Sequence, residues 1–354
     1  MIKNMLISGL ATAILSILFT GCISNTSIKV KDYKAFSLKQ NMNKEEIVEK
    51  LKKANKIRRI ALLSTESTNQ PKLAKNIGLD NILKSNLKKY LMETGNVRFL
   101  ADINANHNLK EKIIDLEYDG IEIKNDTFDY LILTKIENAS FTNRFTEAFT
   151  YECIQIVNNQ KRRTTCVSPP SMTYTAEVSG SIEVLHLLDN RLISELNIPF
   201  SDNASRSQDV RREVKLKTDN ALMAKATKDA VKQNRIKIMN HFAAKGFIRK
   251  GKRNGDDYIF QTTLGLGKIK EGDKVNIYHE EKEVDPLTGK IEVTITEIAK
   301  AVVSSESTNK HSWIIIDGDN GENVSLGDFI KVQYESDFMD SMLKVGTFLN
   351  SITK

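Results

Sequence analysis

The N-terminal segment carries the feature that most limits how this 354-residue chain can fold. Residues 5–19 are almost entirely apolar, and Lys3 precedes them. A helix that crosses a bilayer needs about 20 apolar residues, so this run is too short to span one. A basic residue, a short apolar stretch and small residues before a cleavage site are typical of a secretory signal. We therefore predict that residues 1–21 are a signal peptide and that the rest of the chain folds after export.

The signal ends in a cysteine, and its last residues, "ILFTGC", resemble the lipobox of bacterial lipoproteins, with Phe19 in place of the usual leucine. The resemblance implies that the Cys22 thiol is diacylated, that the chain is cut before Cys22 and that the new amino terminus is acylated. Several acyl chains anchor a protein firmly, since each buried methylene contributes about 0.8 kcal/mol. Because Ile23 rather than aspartate follows the cysteine, the resemblance places the lipid-anchored protein at the outer membrane, facing the periplasm. An uncleaved anchor with an incidental cysteine is the alternative.

Composition limits the size and the partners of the exported part. Apolar residues make up 40% of the chain, which is enough for folded cores, and the length favours two domains. The net charge is +7. An exported chain does not meet DNA, so this excess favours anionic lipid, peptidoglycan or an acidic protein over nucleic acid as a partner. An ordinary solvated surface with well-mixed charge is the alternative.

Hydrophobic periodicity predicts a first domain of helices on a sheet. A buried-strand pattern at 57–64 opens a strand–helix–strand unit, antiparallel strands follow, and a long helix at 218–246 closes it. We predict an α/β domain over residues 57–248, preceded by a tether and a short helix at 22–56.

A second, all-β domain follows a change in composition. Residues 249–257, "RKGKRNGDD", are basic and contain glycine, so we predict a linker there. Five or six short strands follow within about 80 residues, which indicates a small barrel over 258–340 and a tail at 341–354. The predicted fold class is therefore α+β: an α/β sandwich with a mixed sheet, followed by a small SH3-like all-β barrel.

The barrel region contains an internal repeat. Both "IKEGDKVNIY" and "VSLGDFIKVQY" place Gly-Asp ahead of alternating apolar residues. Gly272 and Gly327 suit a turn with positive φ, and the side chains of Asp273 and Asp328 can bond back to the turn backbone. The alternation predicts that the apolar residues after each turn face one side of a strand.

Three segments of the first domain carry a family resemblance: "IRRIALLS" at 57–64, "FDYLILTKI" at 128–136 and "SIEVLHLLDNRLISEL" at 181–196. They resemble the α/β domain shared by the curli-secretion lipoproteins, the lipoprotein activators of penicillin-binding proteins and the flagellar assembly protein T family. The later region resembles the C-terminal barrel of the flagellar family. The positions that carry this second likeness are Gly272, Asp273, Asp285, Pro286, Thr288, Gly289, Gly327 and Asp328.

The resemblance implies a role in assembling or stabilising an envelope machine. Its leading case is a non-catalytic outer-membrane lipoprotein that serves as a scaffold of the flagellar basal body, with envelope proteins or a ring of its own copies as partners. The alternatives are a subunit of a curli-type secretion channel and a lipoprotein activator of a peptidoglycan synthase.

No pattern of catalytic or metal-binding residues accompanies this resemblance. None of the five histidines is spaced with another as metal ligands on one element, and the sequence lacks HExxH, a G-x-S-x-G elbow and a P-loop. We therefore predict that the protein is not an enzyme, holds no cofactor and has no metal site. The histidines are expected to be structural.

Two cysteines flank a predicted hairpin. Cys153 and Cys166 lie symmetrically about Asn159–Gln160, and an exported protein matures where disulfides form. If Asn159–Gln160 is a two-residue loop, the cysteines become directly opposed, non-hydrogen-bonded partners whose Cα atoms are close enough for a disulfide. We predict this bridge; two free thiols are the alternative.

The tip of the same hairpin, "NQKRR", is the strongest local cluster of positive charge. Lys161, Arg162 and Arg163 are the candidate contacts for an acidic partner or an anionic polymer. A solvated hairpin tip is the alternative interpretation.

Overall fold

The structure, a computed structural model, describes residues 26–40, 44–64, 71–100, 128–157, 160–188, 191–318 and 320–335. These residues form two compact units. The mixed-sheet unit comprises Lys56–Phe242 together with Tyr334 and the residue after it, and the barrel unit comprises Ala243–Gln333 together with the described residues before Lys56. Cys22, the signal peptide and the predicted tail at 341–354 lie outside the described residues.

Strands dominate both units. In chain order, the strands are β1 (Lys34–Phe36), β2 (Arg58–Ser64), β3 (Val97–Phe99), β4 (Tyr130–Thr146), β5 (Phe149–Val157), β6 (Gln160–Ser168), β7 (Ser171–Leu188), β8 (Arg191–Asp209), β9 (Lys245–Asn254), β10 (Asp257–Thr262), β11 (Lys274–Val284), β12 (Ile291–Ser307), β13 (Ser312–Asp317) and β14 (Phe329–Val332). The helices are α1 (Lys44–Asn55), α2 (Lys72–Ile77), α3 (Leu79–Glu93) and α4 (Asn220–His241). Within the described ranges, no helix is both long enough and apolar enough to cross a membrane.

The mixed-sheet unit has five strands in the order β3-β2-β4-β7-β8. β2 runs parallel to β3 and to β4, whereas β7 is antiparallel to both β4 and β8. Helices α2, α3 and α4 cover one face of this sheet. The four leucines of α3 recur at every fourth position and are fully buried against it: Leu79, Leu83, Leu87 and Leu91. This spacing forms a single apolar stripe on the helix, so the helix turns that stripe toward the sheet.

Gly180, near the middle of β7, lies where the neighbouring strands β4 and β8 approach it closely. At Gly180 in β7, a Cβ atom would lie 2.0 Å from the carbonyl oxygen of Lys135 and 2.7 Å from the ring of Phe200. The register between β4 and β7 also shifts beside this point. Only a residue without a side chain allows the strands to approach this closely.

The barrel unit is a closed barrel of six strands in the order β9-β10-β13-β12-β11-β14, with β14 pairing back onto β9. The two repeats found in the sequence are direct neighbours, because β11 pairs antiparallel with β14. Val275 faces Val332 and Ile277 faces Ile330 in this pair, and all four side chains are buried. A mixed sheet and a small barrel are therefore both present, as the sequence predicts.

The predicted linker at 249–257 is wrong. These residues belong to β9, β10 and the tight turn between them, where Gly255 has a φ of 60°. Strand pairing uses backbone groups, so lysine and arginine side chains do not prevent it. Gly251 does not provide flexibility either, since a Cβ atom there would lie 2.7 Å from the ring of Phe36.

The predicted domain boundaries also shift at both ends of the first domain. β1 pairs with β9 of the barrel, from Lys34↔Arg253 to Phe36↔Gly251, so part of the predicted tether at 22–56 belongs to the barrel sheet. The mixed-sheet unit ends at Phe242 rather than at residue 248, because β9 begins at Lys245 and pairs with β14.

Candidate functional site: two exposed ribbons of opposite charge

Strands β5 and β6 form a two-stranded sheet separate from the five-stranded one, and we call it the arm. The two strands pair along their whole length, from Phe149↔Ser168 to Val157↔Gln160. The chain reaches the arm from β4 and returns from it into β7, which are paired neighbours in the mixed sheet. The arm therefore extends the ladder that β4 and β7 begin.

The arm brings the two cysteines together, but in a different register from the one that the sequence predicts. Cys153 faces Thr164, and Cys166 faces Tyr151. The predicted direct opposition is wrong because Gln160, a residue of the predicted loop, instead pairs with Val157 in the ladder. The cysteines are instead diagonal neighbours on one face of the arm. Their Cα atoms are 5.9 Å apart, inside the range of about 4.4–6.8 Å that a disulfide allows, and the structure joins them by a bridge.

The register also separates the three cations that the sequence groups together. Side chains alternate between the two faces of a strand. Lys161 lies opposite Ile156 and Arg163 lies opposite Ile154, and all four share a face that we call the basic face. Arg162 lies opposite Gln155 on the other face, which also carries the disulfide.

The basic face is apolar as well as charged. Ile154, Ile156 and Val167 lie on it with exposed fractions of 63%, 69% and 66%. Lys161 and Arg163 are also exposed, and neither forms an ion pair within the described residues. Ile154 and Ile156 lie together toward the tip, whereas Val167 lies opposite Thr150 at the other end of the ribbon. The tip half of the basic face is therefore the candidate interaction surface.

A second exposed ribbon, the barrel ribbon, is formed by the distal halves of β11 and β12, residues 279–296. Its turn is ordered by Asp285, whose carboxylate accepts hydrogen bonds from the backbone of Leu287 at 2.8 Å and from the hydroxyl of Thr288 at 2.6 Å. Gly289 completes the turn with a φ of 66°. At the tip, the side chain of Leu287 is 94% exposed.

The two faces of the barrel ribbon differ in chemistry. One face carries the carboxylates of Glu281, Glu283 and Glu292. The other carries four apolar side chains that are each more than half exposed: Val284, Ile291, Val293 and Ile295. Helix α1 contacts this second face through two ion pairs, Lys282 with Glu46 and Glu280 with Lys50, the latter at 2.7 Å.

The predicted turn residues all lie at the ends of the paired repeats. Gly272 and Gly327 have φ values of 83° and 92°. The carboxylate of Asp273 accepts from the backbone N–H of Lys270 at 2.7 Å, and that of Asp328 accepts from Ser325 at 2.6 Å. The two Gly-Asp pairs therefore build the same turn twice, as the repeat predicts.

The second copy of this turn is more deeply buried than the first. Asp328 is almost wholly buried, and its carboxylate also lies 2.8 Å from Nδ1 of His279. Burial raises the pKa of Asp328, although the hydrogen bonds from Ser325 and His279 act in the opposite direction. This buried carboxylate connects the turn to β11 and serves the barrel's structure.

A cluster in the mixed-sheet unit was not predicted from the sequence. Nδ1 of His186 lies 2.9 Å from one oxygen of Glu195, and Nε2 of His241 lies 3.1 Å from the other. The ring of Tyr130 stacks on His186 with centroids 4.6 Å apart. Glu195 is the extra residue where the β7–β8 register shifts, and such bulges redirect side chains. The described part of the chain holds no group of three His, Cys, Asp or Glu residues suited to a metal ion.

An ion network fastens the beginning of β4 to β2. The carboxylate of Asp129 accepts from the backbone and guanidinium of Arg59 and from the ammonium of Lys56 at 2.8 Å. Burial alone would raise the pKa of Asp129, but these hydrogen bonds outweigh it and lower the pKa to about 2. The Asp-Tyr pair of the quoted motif therefore has a structural use here.

No protein-family model matches this chain, and no curated protein matches it either.

Proposed function

We propose that this chain is a non-catalytic lipoprotein of the outer membrane that acts as a structural or assembly scaffold of an envelope machine. The observation that carries the proposal is the pair of exposed ribbons, one basic and apolar on the mixed-sheet unit, the other acidic and apolar on the barrel unit. Exposed apolar clusters bordered by charge are surfaces for binding rather than for catalysis.

The proposed mechanism is positional. Acyl chains on Cys22 hold the protein to the bilayer, and the two units present their ribbons to different partners. Surfaces of opposite charge select partners and speed their association. The sequence resemblance makes the flagellar basal body the leading candidate for this machine. It also supports describing the mixed-sheet unit as an α/β sandwich and the barrel unit as an SH3-like barrel.

The arm also bears on the curli-type channel that the resemblance allows. Strands β5 and β6 each have nine residues, about the length that crosses a bilayer. However, Lys161 and Arg163 lie directly opposite the two isoleucines of the basic face. A cation facing lipid at the bilayer midplane costs about 2–4 kcal/mol, so this face is unsuited to spanning. The scaffold is therefore the better supported proposal.

Two experiments test the proposal. Metabolic labelling with a fatty acid should mark the wild-type protein and leave Cys22→Ser unlabelled. Deletion of the gene should abolish motility while leaving fibre secretion and wall synthesis intact. A wild-type protein that takes up no label refutes the anchor. Loss of fibre secretion or altered wall synthesis, with motility unchanged, refutes the flagellar scaffold in favour of the corresponding alternative.

A further inference from the structure

We propose that the basic face of the arm binds the surface of a bilayer rich in anionic lipid, an inference that rests on the proposed membrane anchor. Two cross-strand pairs on this face each join an isoleucine to a cation: Ile156 with Lys161, and Ile154 with Arg163. Directly opposed side chains have Cβ atoms about 4.5–5.5 Å apart. Each of the two isoleucines therefore has a positive charge beside it.

This pairing matches the boundary between headgroups and acyl chains. Lysine and arginine keep their charged ends in the polar layer while their aliphatic stems lie along apolar surface. The isoleucines can then enter the upper acyl region while the cations remain with the phosphates. One carboxylate, Glu152, lies on the same face opposite Thr165, further from the tip than the two cations. The tip half of the face is thus the more positive part.

The composition of the face favours lipid over an acidic protein. Contacts that dominate protein interfaces are enriched in tryptophan, tyrosine and arginine, and Arg163 is the one such residue on the basic face. The aromatic residues of the arm, Phe149 and Tyr151, lie on the opposite face beside the disulfide. The apolar side chains of the basic face are all branched aliphatics, which suits a fluid apolar phase without fixed pockets.

The disulfide and the anchor both reduce the cost of binding. A two-stranded ribbon is marginally stable alone, so the bridge between Cys153 and Cys166 keeps the face ordered before it meets lipid. Acyl chains on Cys22 would hold the arm near the bilayer at high effective concentration. A face of modest intrinsic affinity is then sufficient.

The test measures vesicle binding without the acyl anchor. The protein is residues 22–354 carrying Cys22→Ser, which retains every described residue. Binding is measured by flotation with vesicles of phosphatidylcholine, either pure or with about one third phosphatidylglycerol. We expect binding only to the anionic vesicles. It should weaken from about 0.1 M to about 1 M NaCl, as the Debye length falls from about 10 Å to about 3 Å.

Matched variants assign the binding to one face. Lys161→Gln with Arg163→Gln should weaken vesicle binding about 25-fold, since each cation near an anionic surface contributes about fivefold. Arg162→Gln removes one positive charge from the opposite face and should change binding by no more than about twofold, whereas Lys161→Gln or Arg163→Gln alone should weaken it about fivefold. Ile154→Ser with Ile156→Ser should also weaken binding, whereas Gln155→Ser should not. Circular dichroism and a thiol assay establish that each variant is folded and bridged.

Three results would overturn the inference. One is the absence of binding to anionic vesicles. A second is an equal loss of binding in Arg162→Gln and in Lys161→Gln or Arg163→Gln alone, because the effect would then be one of general charge. The third is self-association, or binding to an acidic protein, that requires Lys161 and Arg163 while the protein does not bind vesicles. Fatty-acid labelling of the wild type is independent of all three, so failure of this inference is distinguishable from failure of the anchor.

Discussion

Removal of the arm's disulfide should loosen the arm and leave the rest of its unit folded. The perturbation is the double substitution Cys153→Ser with Cys166→Ser. Among the described residues, none of the arm's side chains belongs to the buried clusters of the mixed-sheet unit, and β5 and β6 pair only with each other. The loss should therefore appear as local opening of β5 and β6, because the bridge is the main constraint that the structure adds to an isolated two-stranded ribbon.

The size of the effect follows from the length of the closed loop. The cysteines are separated by 13 positions. In the chain-entropy account, closing a loop of this length contributes up to about 3 kcal/mol, which corresponds to a factor of about 150 in the equilibrium between open and closed arm. The thermal midpoint of the whole unit should change by less than about 2 °C, since its core is untouched.

Hydrogen exchange followed by mass spectrometry measures the arm and the core in one experiment. Amides of β5 and β6 should exchange about 150-fold faster in the double variant, and wild-type protein treated with reductant should behave in the same way. Amides in the centre of β7 and in β13 provide the internal control and should be unchanged. The reasoning is refuted if the arm's amides keep their protection, or if β7 loses protection to the same extent.

Three further experiments test contacts inside each of the two units. Asp129→Asn should lower the free energy of unfolding by about 2 kcal/mol at pH 7, because a carboxyl that titrates at about 2 instead of 3.8 stabilises the fold above its unfolded pKa. This stabilisation should fade as the pH falls from about 4 toward 2, which urea unfolding at each pH measures. Glu137 is about half exposed, so Glu137→Gln serves as a control whose free energy of unfolding should change by less than about 0.5 kcal/mol. Gly180→Ala should cost about 3 kcal/mol or more, because the added Cβ meets a strand backbone; a thermal midpoint within 2 °C or so of wild type would contradict this. Asp328→Ala should destabilise the barrel by about 2–3 kcal/mol, because it leaves the buried backbone N–H of Ser325 without an acceptor. Asp273→Ala should cost roughly half as much, because its hydrogen bond from Lys270 is exposed. Fluorescence of the chain's single tryptophan, which lies in the barrel, follows both, and equal effects would refute the argument.

Local patterns determined the parts of the fold that depend on near neighbours. The leucines of α3 recur at helical spacing, and the structure buries that stripe. Gly272 and Gly327 precede aspartates that bond back three residues, so each turn is specified within four residues of sequence. Such patterns can be recognised in the sequence because the partners of each residue lie within a few positions of it in the chain.

The tertiary structure decided everything that depends on which distant strands pair. The predicted linker became β9, and residues of the predicted tether became β1 beside it, because strand pairing joins backbone groups regardless of side-chain charge. Gln160 pairs with Val157 rather than forming part of a loop, and this register places Cys153 in diagonal rather than direct opposition to Cys166. A two-residue loop without glycine is weakly marked in sequence, and a small error in it displaces every pair in the ribbon.

The candidate sites show the same division. Sequence identified a charged hairpin, but only the register showed that Lys161 and Arg163 share a face with two isoleucines while Arg162 does not. The His186–Glu195–His241 cluster joins two strands and a helix, and no spacing in the sequence connects these residues. Side chains from distant segments meet only once the backbone has chosen its pairing, because alternation fixes faces relative to a register and the register is a property of two strands together.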